Sequence, residues 1–296
     1  MEKITTHLWF DKEAKEAAEF YVSTFGKASK VKHIAKLDDT PSGSVDIVTF
    51  DLLGREFQAI SAGPLFKFNP SVSFHVICTT KEEVDAIWKS LSQGGTVLME
   101  LGAYPFSERY GWVQDKYGLS WQIFYSGETY VTQKITPVIM FVGDVCGKAE
   151  EAVNFWASVF PAAKIDAVIR YGKGEEPNKE GTLRYAAFSL IGQEFGAMDS
   201  AYEHPFSFNE AISFIVYCNT QEEIDYYWSK LSAVPEAEQC GWLKDKYGFS
   251  WQIVPSDMDE MMSKGSKEQI ARVTEAFLKM KKFDHESLRL AYEGAD

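Results

Sequence analysis

The stretch GWVQDKYGLSWQI at residues 111–123 returns as GWLKDKYGFSWQI at residues 241–253. Ten of the thirteen positions are identical. Two unrelated segments of similar composition do not match in register over this length, so the chain contains an internal repeat. In both copies a glutamine, Gln122 or Gln252, directly follows a tryptophan. What the repeated segment does, and what its glutamine does, is the first question that the sequence raises.

The repeat extends well beyond this segment. KITTHLWF near the start matches KITPVIMF, FDLLGREFQAISAG matches FSLIGQEFGAMDSA, and SVSFHVICTT matches AISFIVYCNT. Residues 1–126 and 134–256 are therefore predicted to be two copies of one domain. Residues 257–296 match neither copy and form a separate C-terminal tail.

Each copy has the same order of predicted elements. An apolar strand is followed by an amphipathic helix and three further strand-like runs, and then the order begins again. The fold class is therefore α+β, with two βαβββ units in each domain and four in the chain. The last unit is shorter, because AVPEAEQ replaces a longer segment of the first copy. In the tail, residues 266–293 have helical periodicity with a break at Phe283, and Asp284 is a predicted helix start.

Composition excludes several classes of function. The formal net charge is −13 and no Lys/Arg-rich run is present, which argues against binding to nucleic acid. No apolar run approaches the roughly 18 residues of a membrane span, and the first residues are too charged for a secretory signal. The four cysteines lack metal-type spacing, and Cys78 and Cys218 fall in matching apolar strands as expected for buried thiols. We therefore expect a cytoplasmic protein.

The DKYGxSWQI segment, the CNTQEEIDYYWSKL pattern and the tail RVTEAFLKMKKFDHESLRLAYEG resemble the vicinal oxygen chelate superfamily. More closely, they resemble its PhnB-like group, which often carries the label 3-demethylubiquinone-9 3-methyltransferase. The resemblance covers essentially the whole chain. It implies tandem glyoxalase-like domains, each with paired units that curl eight strands around a half-open cavity. The label's methyl transfer is disfavoured, because no glycine-rich cofactor-binding turn follows the first strand.

The resemblance also implies a metal set in the first domain. Its positions are His7 and His75 in the opening strands of the two units, with Ser73 as an alternative to His75, and Gln122 in the closing strand. Two imidazoles and a carboxylate would hold one divalent metal ion and leave positions open for substrate. Here Gln122 stands in place of the carboxylate and brings no charge, so metal binding and a metal-free polar pocket both stay open.

In the second domain the same three positions are Val138, Ile215 and Gln252, and two aliphatic side chains cannot ligate a metal. We expect that domain to be metal-free and to form an internal pseudo-dimer with the first. A homodimer of whole chains stays open. The residues predicted to line a ligand-binding cavity are His7, Gln58, His75, Gln122 and Gln252.

Two further predictions concern the repeated segment itself. Successive strand residues face opposite sides, so an inward Gln122 places Trp121 in the core. Asp115 and Asp245 of the DKYG segments are expected to form turns by accepting bonds from backbone amides.

The leading functional hypothesis is a protein that binds a small organic molecule. A metal-dependent lyase or isomerase acting in the first-domain cavity is the alternative, and whether the protein is an enzyme stays open.

Overall fold

The computed structural model describes residues 3–40, 43–127 and 131–295, with the side chains of residues 38 and 39 left out. The first copy folds as two βαβββ units. The elements of the first unit are β1 (Ile4–Phe10), α1 (Ala14–Phe25), β2 (Lys30–Thr40), β3 (Gly43–Leu52) and β4 (Arg55–Ser61). Those of the second unit are β5 (Val72–Cys78), α2 (Lys81–Leu91), β6 (Thr96–Tyr104), β7 (Ser107–Gln114) and β8 (Ser120–Tyr125).

The second copy repeats this order and the tail adds three helices. The third unit consists of β9 (Ile135–Phe141), α3 (Ala149–Val159), β10 (Lys164–Arg170), β11 (Leu183–Leu190) and β12 (Gln193–Asp199). The fourth unit, shortened as predicted, consists of β13 (Ile212–Cys218), α4 (Gln221–Leu231), β14 (Trp242–Lys244) and β15 (Ser250–Pro255). The tail helices are α5 (Met258–Lys264), α6 (Lys267–Leu278) and α7 (His285–Glu293). The predicted α+β class is confirmed.

The two sheets combine units from different copies. A seven-stranded sheet has the order β14-β15-β13-β1-β4-β3-β2, and an eight-stranded sheet has the order β10-β11-β12-β9-β5-β8-β7-β6. The first unit therefore shares its sheet with the fourth, and the second with the third. The joints are antiparallel pairs of unit-opening strands, β1 with β13 and β5 with β9. Each opening strand is thereby paired on both sides, which leaves no unpaired edge at the joint.

The core lies between the sheets. Phe57 of β4 meets Phe74 of β5 with ring centroids 5.5 Å apart, and Phe74 in turn meets Trp121 at 5.3 Å. Trp121 is fully buried there, as predicted. Because strand residues alternate, the opposite faces of the two sheets carry His7 and His75.

The repeated DKYG segment closes around a buried carboxylate. Asp115 Oδ1 accepts hydrogen bonds from the amides of Tyr117 and Leu119 at 2.8 and 3.1 Å. Its Oδ2 accepts from the Tyr21 hydroxyl and the Trp121 indole, both at 2.8 Å. The predicted turn-forming role is confirmed, and the carboxylate also ties the hairpin to helix α1.

The second copy builds the same carboxylate centre. Asp245 accepts from two turn amides through one oxygen and from the Trp156 and Trp251 indoles through the other. The repeated segment is therefore a structural device, in which one acid satisfies four donors that would otherwise be buried without partners.

The C-terminal tail covers the outer face of the seven-stranded sheet. Met258, Met262 and Phe283 pack in one apolar cluster with Ile215 and Tyr217 of β13. Two backbone bonds fasten the tail to the loop before β14, from the Cys240 amide to Met280 and from the Gly241 amide to Lys281, both 2.8 Å long.

Two of the three tail helices begin as the sequence indicates. Asp284 caps α7, as predicted, by accepting from the Ser287 amide at 2.7 Å. Helix α6 starts with a capping box at Ser266. Helix α5 was not predicted. None of the helices in the described ranges is long and apolar enough to cross a membrane.

Candidate ligand-binding site

A cavity of about 180 Å³ lies between the outer face of the seven-stranded sheet and the tail. We call it the tail-covered cavity. Most of its wall is aliphatic or aromatic, and its polar side chains converge from β1, β4, β13, β15 and α5. Those on which its chemistry depends are His7, Gln58, Tyr217, Gln252 and Asp259.

His7 lies at the centre of the sheet that forms the cavity wall. It pairs in register with Gln58 of β4 on one side and with Ser213 of β13 on the other. The side chain is 3% exposed and its ring meets Trp242 edge-on at 5.2 Å. Burial lowers the pKa of His7 to about 3, so the imidazole is neutral near pH 7. Its Nδ1 is buried and has no hydrogen-bond partner among the described residues.

Gln58 and Asp259 connect the sheet to the tail. Gln58 Nε2 donates to Asp259 Oδ1 at 3.3 Å, and the Tyr217 hydroxyl donates to Asp259 Oδ2 at 2.8 Å. Burial raises the pKa of the Asp259 carboxyl, and the two donors oppose that shift. Burial also raises the pKa of Tyr217, which keeps it a donor.

Sequence reasoning missed both Tyr217 and Asp259. Tyr217 is the penultimate residue of β13, whose sequence ISFIVYC is apolar apart from Ser213 and gives no sign that its tyrosine is functional. Asp259 lies outside the repeat, in DMDEMMSK. The available signal was the spacing of Asp259 three residues before Met262, which places the acid beside the apolar stripe of α5.

Gln252 also lines the tail-covered cavity, but it does not share the cavity with the other repeated glutamine. Its Nε2 donates to Ser213 Oγ at 3.0 Å. The equivalent Gln122 donates from Nε2 to Ser73 Oγ at 2.8 Å and accepts from the Tyr110 hydroxyl at 2.7 Å. Each repeated glutamine is therefore anchored to a serine of the neighbouring unit-opening strand.

The structure does not bring the predicted metal set His7, His75 and Gln122 together. His7 belongs to the seven-stranded sheet, whereas His75 and Gln122 are register neighbours in the eight-stranded sheet. The expectation of a shared site in the first domain is wrong because β1 pairs with β13 of the second copy rather than with β5.

His75 lies in a second cavity on the eight-stranded sheet, which Tyr185 partly fills. The His75 and Tyr185 rings stack at 5.8 Å, with an interplanar angle of 7°. Burial lowers the pKa of His75 to about 4. Gly196 stands where the first copy has Gln58, and a Cβ atom there would lie 2.9 Å from the Tyr185 hydroxyl oxygen. Tyr185 therefore occupies the space above Gly196. None of the three described tail helices contributes a residue to the lining of this second cavity.

The donor set in the tail-covered cavity does not fit a resident divalent metal ion. Within residues 3–40, 43–127 and 131–295, no three His, Cys, Asp or Glu side chains lie together in a group that could hold a metal. The cavity lining includes the imidazoles of His7 and His33, the Cys240 thiol, the Asp259 carboxylate and the neutral amides of Gln58 and Gln252, but these side chains do not form such a group. Zinc and similar ions are held by three or four imidazole, thiolate or carboxylate ligands.

Comparisons with known proteins agree with the repeat. The family model described as 3-demethylubiquinone-9 3-methyltransferase matches residues 2–124 and again residues 133–254. A PhnB protein from Bacillus cereus is 41% identical to this chain, with 42% of this chain and 100% of that one covered and a TM-score of 0.40. A protein from Staphylococcus aureus is 30% identical, covering 42% of this chain and 97% of that one, with a TM-score of 0.18.

A likeness over most of the chain is found in a maize protein. A mutant form of glyoxalase I from Zea mays is 12% identical, with 88% of this chain and 97% of that chain covered and a TM-score of 0.55. At this identity the likeness concerns the fold. Comparison with the curated proteins found no match.

Proposed function

Since the chain belongs to the 3-demethylubiquinone-9 3-methyltransferase family, whose PhnB-like sequence it carries twice, we propose that it is a cytoplasmic binding protein for a small organic molecule. The ligand occupies the tail-covered cavity. The two copies act as one internal dimer, because that cavity takes its walls from both.

The observation that carries this proposal is a buried histidine with an unsatisfied ring nitrogen in the wall of an apolar pocket. Ligand sites are mostly apolar concavities with a few fixed polar groups. His7 Nδ1 is such a group, without a partner in the part of the chain that the structure describes, and a buried polar atom left unpaired costs about 1–3 kcal/mol. A ligand that hydrogen-bonds to His7 would remove this cost.

The methyltransferase activity in the family's name is not part of this proposal. Methyl transfer needs a site for a methyl-donating cofactor, and the chain lacks the glycine-rich turn after a first strand that marks the common form of such a site. Addition of S-adenosylmethionine is therefore expected to leave the melting temperature unchanged.

The metal-dependent lyase or isomerase is the alternative function. The observation in its favour is His7, since a neutral imidazole is the form that ligates metal. Against it stands the observation that, within the described residues, no three His, Cys, Asp or Glu side chains lie together in a group that could hold a metal. Stoichiometric Zn, Ni, Mn or Fe in protein prepared without chelators, lost in a His7→Ala variant, would favour the enzyme.

The proposal is tested by a thermal-shift screen of compact organic compounds with two matched cavity-filling variants. Ala35→Trp fills the tail-covered cavity, and Ala187→Trp fills the cavity of the eight-stranded sheet. Compounds that raise the melting temperature of the wild type are expected to fail with Ala35→Trp and to act normally on Ala187→Trp. Shifts that survive Ala35→Trp, or an absence of shifts in a diverse library, would refute the proposal.

A further inference from the structure

Resting on the function proposed above, we propose that the tail-covered cavity selects a small organic cation. Its ligand is an ammonium group on a compact apolar body, and Asp259 is the counter-ion. The tail helix α5 thus contributes the residue that determines specificity to a site whose other walls come from the two repeated copies.

The hydrogen-bond donors that Asp259 meets in the cavity, Gln58 and Tyr217, are both neutral. No Lys or Arg is among the described residues that line the cavity. An ionised carboxylate has about four acceptor positions, so positions remain for a ligand. A half-buried carboxylate among apolar groups is costly unless it is paired, and a bound cation supplies the pair.

Neighbouring charges do not substitute for that partner. The charged or titratable groups that influence Asp259 are Glu56 and His33. Glu56 is already paired with Lys32 at 2.6 Å. His33 is an exposed residue of β2 that lies at the wall of the cavity, and it influences Asp259 electrostatically without a hydrogen bond to it. An anionic ligand would meet the Asp259 carboxylate, and no Lys or Arg among the described lining residues would compensate its charge, so the electrostatics of the cavity favour cations over anions.

The remaining walls suit an organic cation. Trp9 and Trp242 meet at 6.1 Å with an interplanar angle of 76°, and Phe277 and Phe283 of the tail complete an aromatic lining. Aromatic faces attract ammonium groups, Trp most strongly. Trp9 is fixed in place by donating from Nε1 to the Gly63 carbonyl at 2.8 Å. The neutral His7 ring can accept a hydrogen bond from an N–H group of the ligand.

The cavity volume limits the ligand's size. About 180 Å³ equals the space of roughly six waters at about 30 Å³ each. A single ring with a short ammonium arm is of this order. Benzylammonium, benzyltrimethylammonium, benzyl alcohol and benzoate are therefore suitable probes, because they share one ring and differ in charge.

The test is isothermal titration calorimetry of the full chain with these four probes. We expect the two cations to bind roughly tenfold or more tightly than benzyl alcohol, and benzoate to bind weakest. Asp259→Asn should remove this preference, so that the two cations bind no more tightly than benzyl alcohol. Glu260→Gln, on the exposed side of the same helix, should keep it. Circular dichroism and the melting temperature check that each variant is folded.

A second variant keeps the test decisive if Asp259→Asn loosens the tail. Gln58→Lys places an internal ammonium beside Asp259, and it should abolish the preference for the cations over benzyl alcohol. Equal binding of all four probes by the wild type, or a cation preference that persists in both variants, would overturn the proposal.

The outcomes separate this inference from the function on which it rests. If neutral or anionic probes bind as well as the cations, and Ala35→Trp blocks them, only the selection of cations fails. If every probe that binds is unaffected by Ala35→Trp, the proposed site itself fails.

Discussion

Replacing Asp115 by Asn tests whether the repeated DKYG segment is held by its buried carboxylate. The Asp115 side chain is 3% exposed and accepts four hydrogen bonds. Asparagine keeps one oxygen for the two turn amides, but it presents an NH₂ group to the Tyr21 hydroxyl and the Trp121 indole. Tyr21 can rotate its hydroxyl and accept, whereas Trp121 can only donate.

The expected loss follows from these contacts. Hydrogen bonds to a charged group contribute about 1.5–3 kcal/mol each, and a buried donor left unpaired costs about 1–3 kcal/mol. Relief from burying the charge offsets part of this, since burial raises the pKa of Asp115. We expect Asp115→Asn to lower the free energy of unfolding by about 3 kcal/mol. Asp245→Asn should cost more, because both donors to its second oxygen are indoles.

The assay is equilibrium unfolding in urea, followed by tryptophan fluorescence and far-ultraviolet circular dichroism. Coincident transitions would justify a two-state treatment. Asp144→Asn is the matched control, since Asp144 is exposed and surface changes stay within about 0.5 kcal/mol. Losses below about 1 kcal/mol for both buried aspartates, or Asp245→Asn milder than Asp115→Asn, would refute the reasoning.

Three further outcomes are expected. Gly95→Ala puts a Cβ atom 2.2 Å from a backbone carbonyl oxygen of β7, so it should lower the melting temperature, whereas Gly102→Ala, with its nearest neighbour at 3.8 Å, should not. The pKa of His7 in the folded state is about 3, which lies below its unfolded value of about 6.5. Its contribution to stability is therefore complete above about pH 6.5 and is lost as the pH falls towards 3. When the pH is lowered from 7 to 4, the unfolding free energy of the His7→Gln variant should fall by about 3 kcal/mol less than that of the wild type. Cys78 and Cys218, whose pKa burial raises to about 12, should react with Ellman's reagent only after unfolding.

Much of the fold was predictable because it depends on local pattern. Strands, helices and the DKYG turn follow from apolar periodicity and from residues that satisfy nearby amides. The burial of Trp121 followed from strand alternation, once the family resemblance was taken to place Gln122 on the inward face. The duplication could be detected from the sequence alone, because matching segments are recognised without three-dimensional information.

The site was only partly predictable. His7, Gln58 and Gln252 do line one cavity, but His75 and Gln122 belong to the other sheet. The four unit-opening strands have similar apolar sequences, so periodicity does not say which of them pair. Resemblance suggested pairing within a copy, and the pairs β1–β13 and β5–β9 cross between copies.

The sequence by itself therefore determined the repeated units, the element order and the turn chemistry, since these depend on residues close together in the chain. Tertiary structure alone decided which units share a sheet and that Asp259 meets Gln58 across 201 positions. Which of the similar unit-opening strands pair is determined by the burial of complete sheet faces rather than by the local sequence preference of each strand. Only the tertiary structure shows that the tail covers one cavity and that Tyr185 lies in the other.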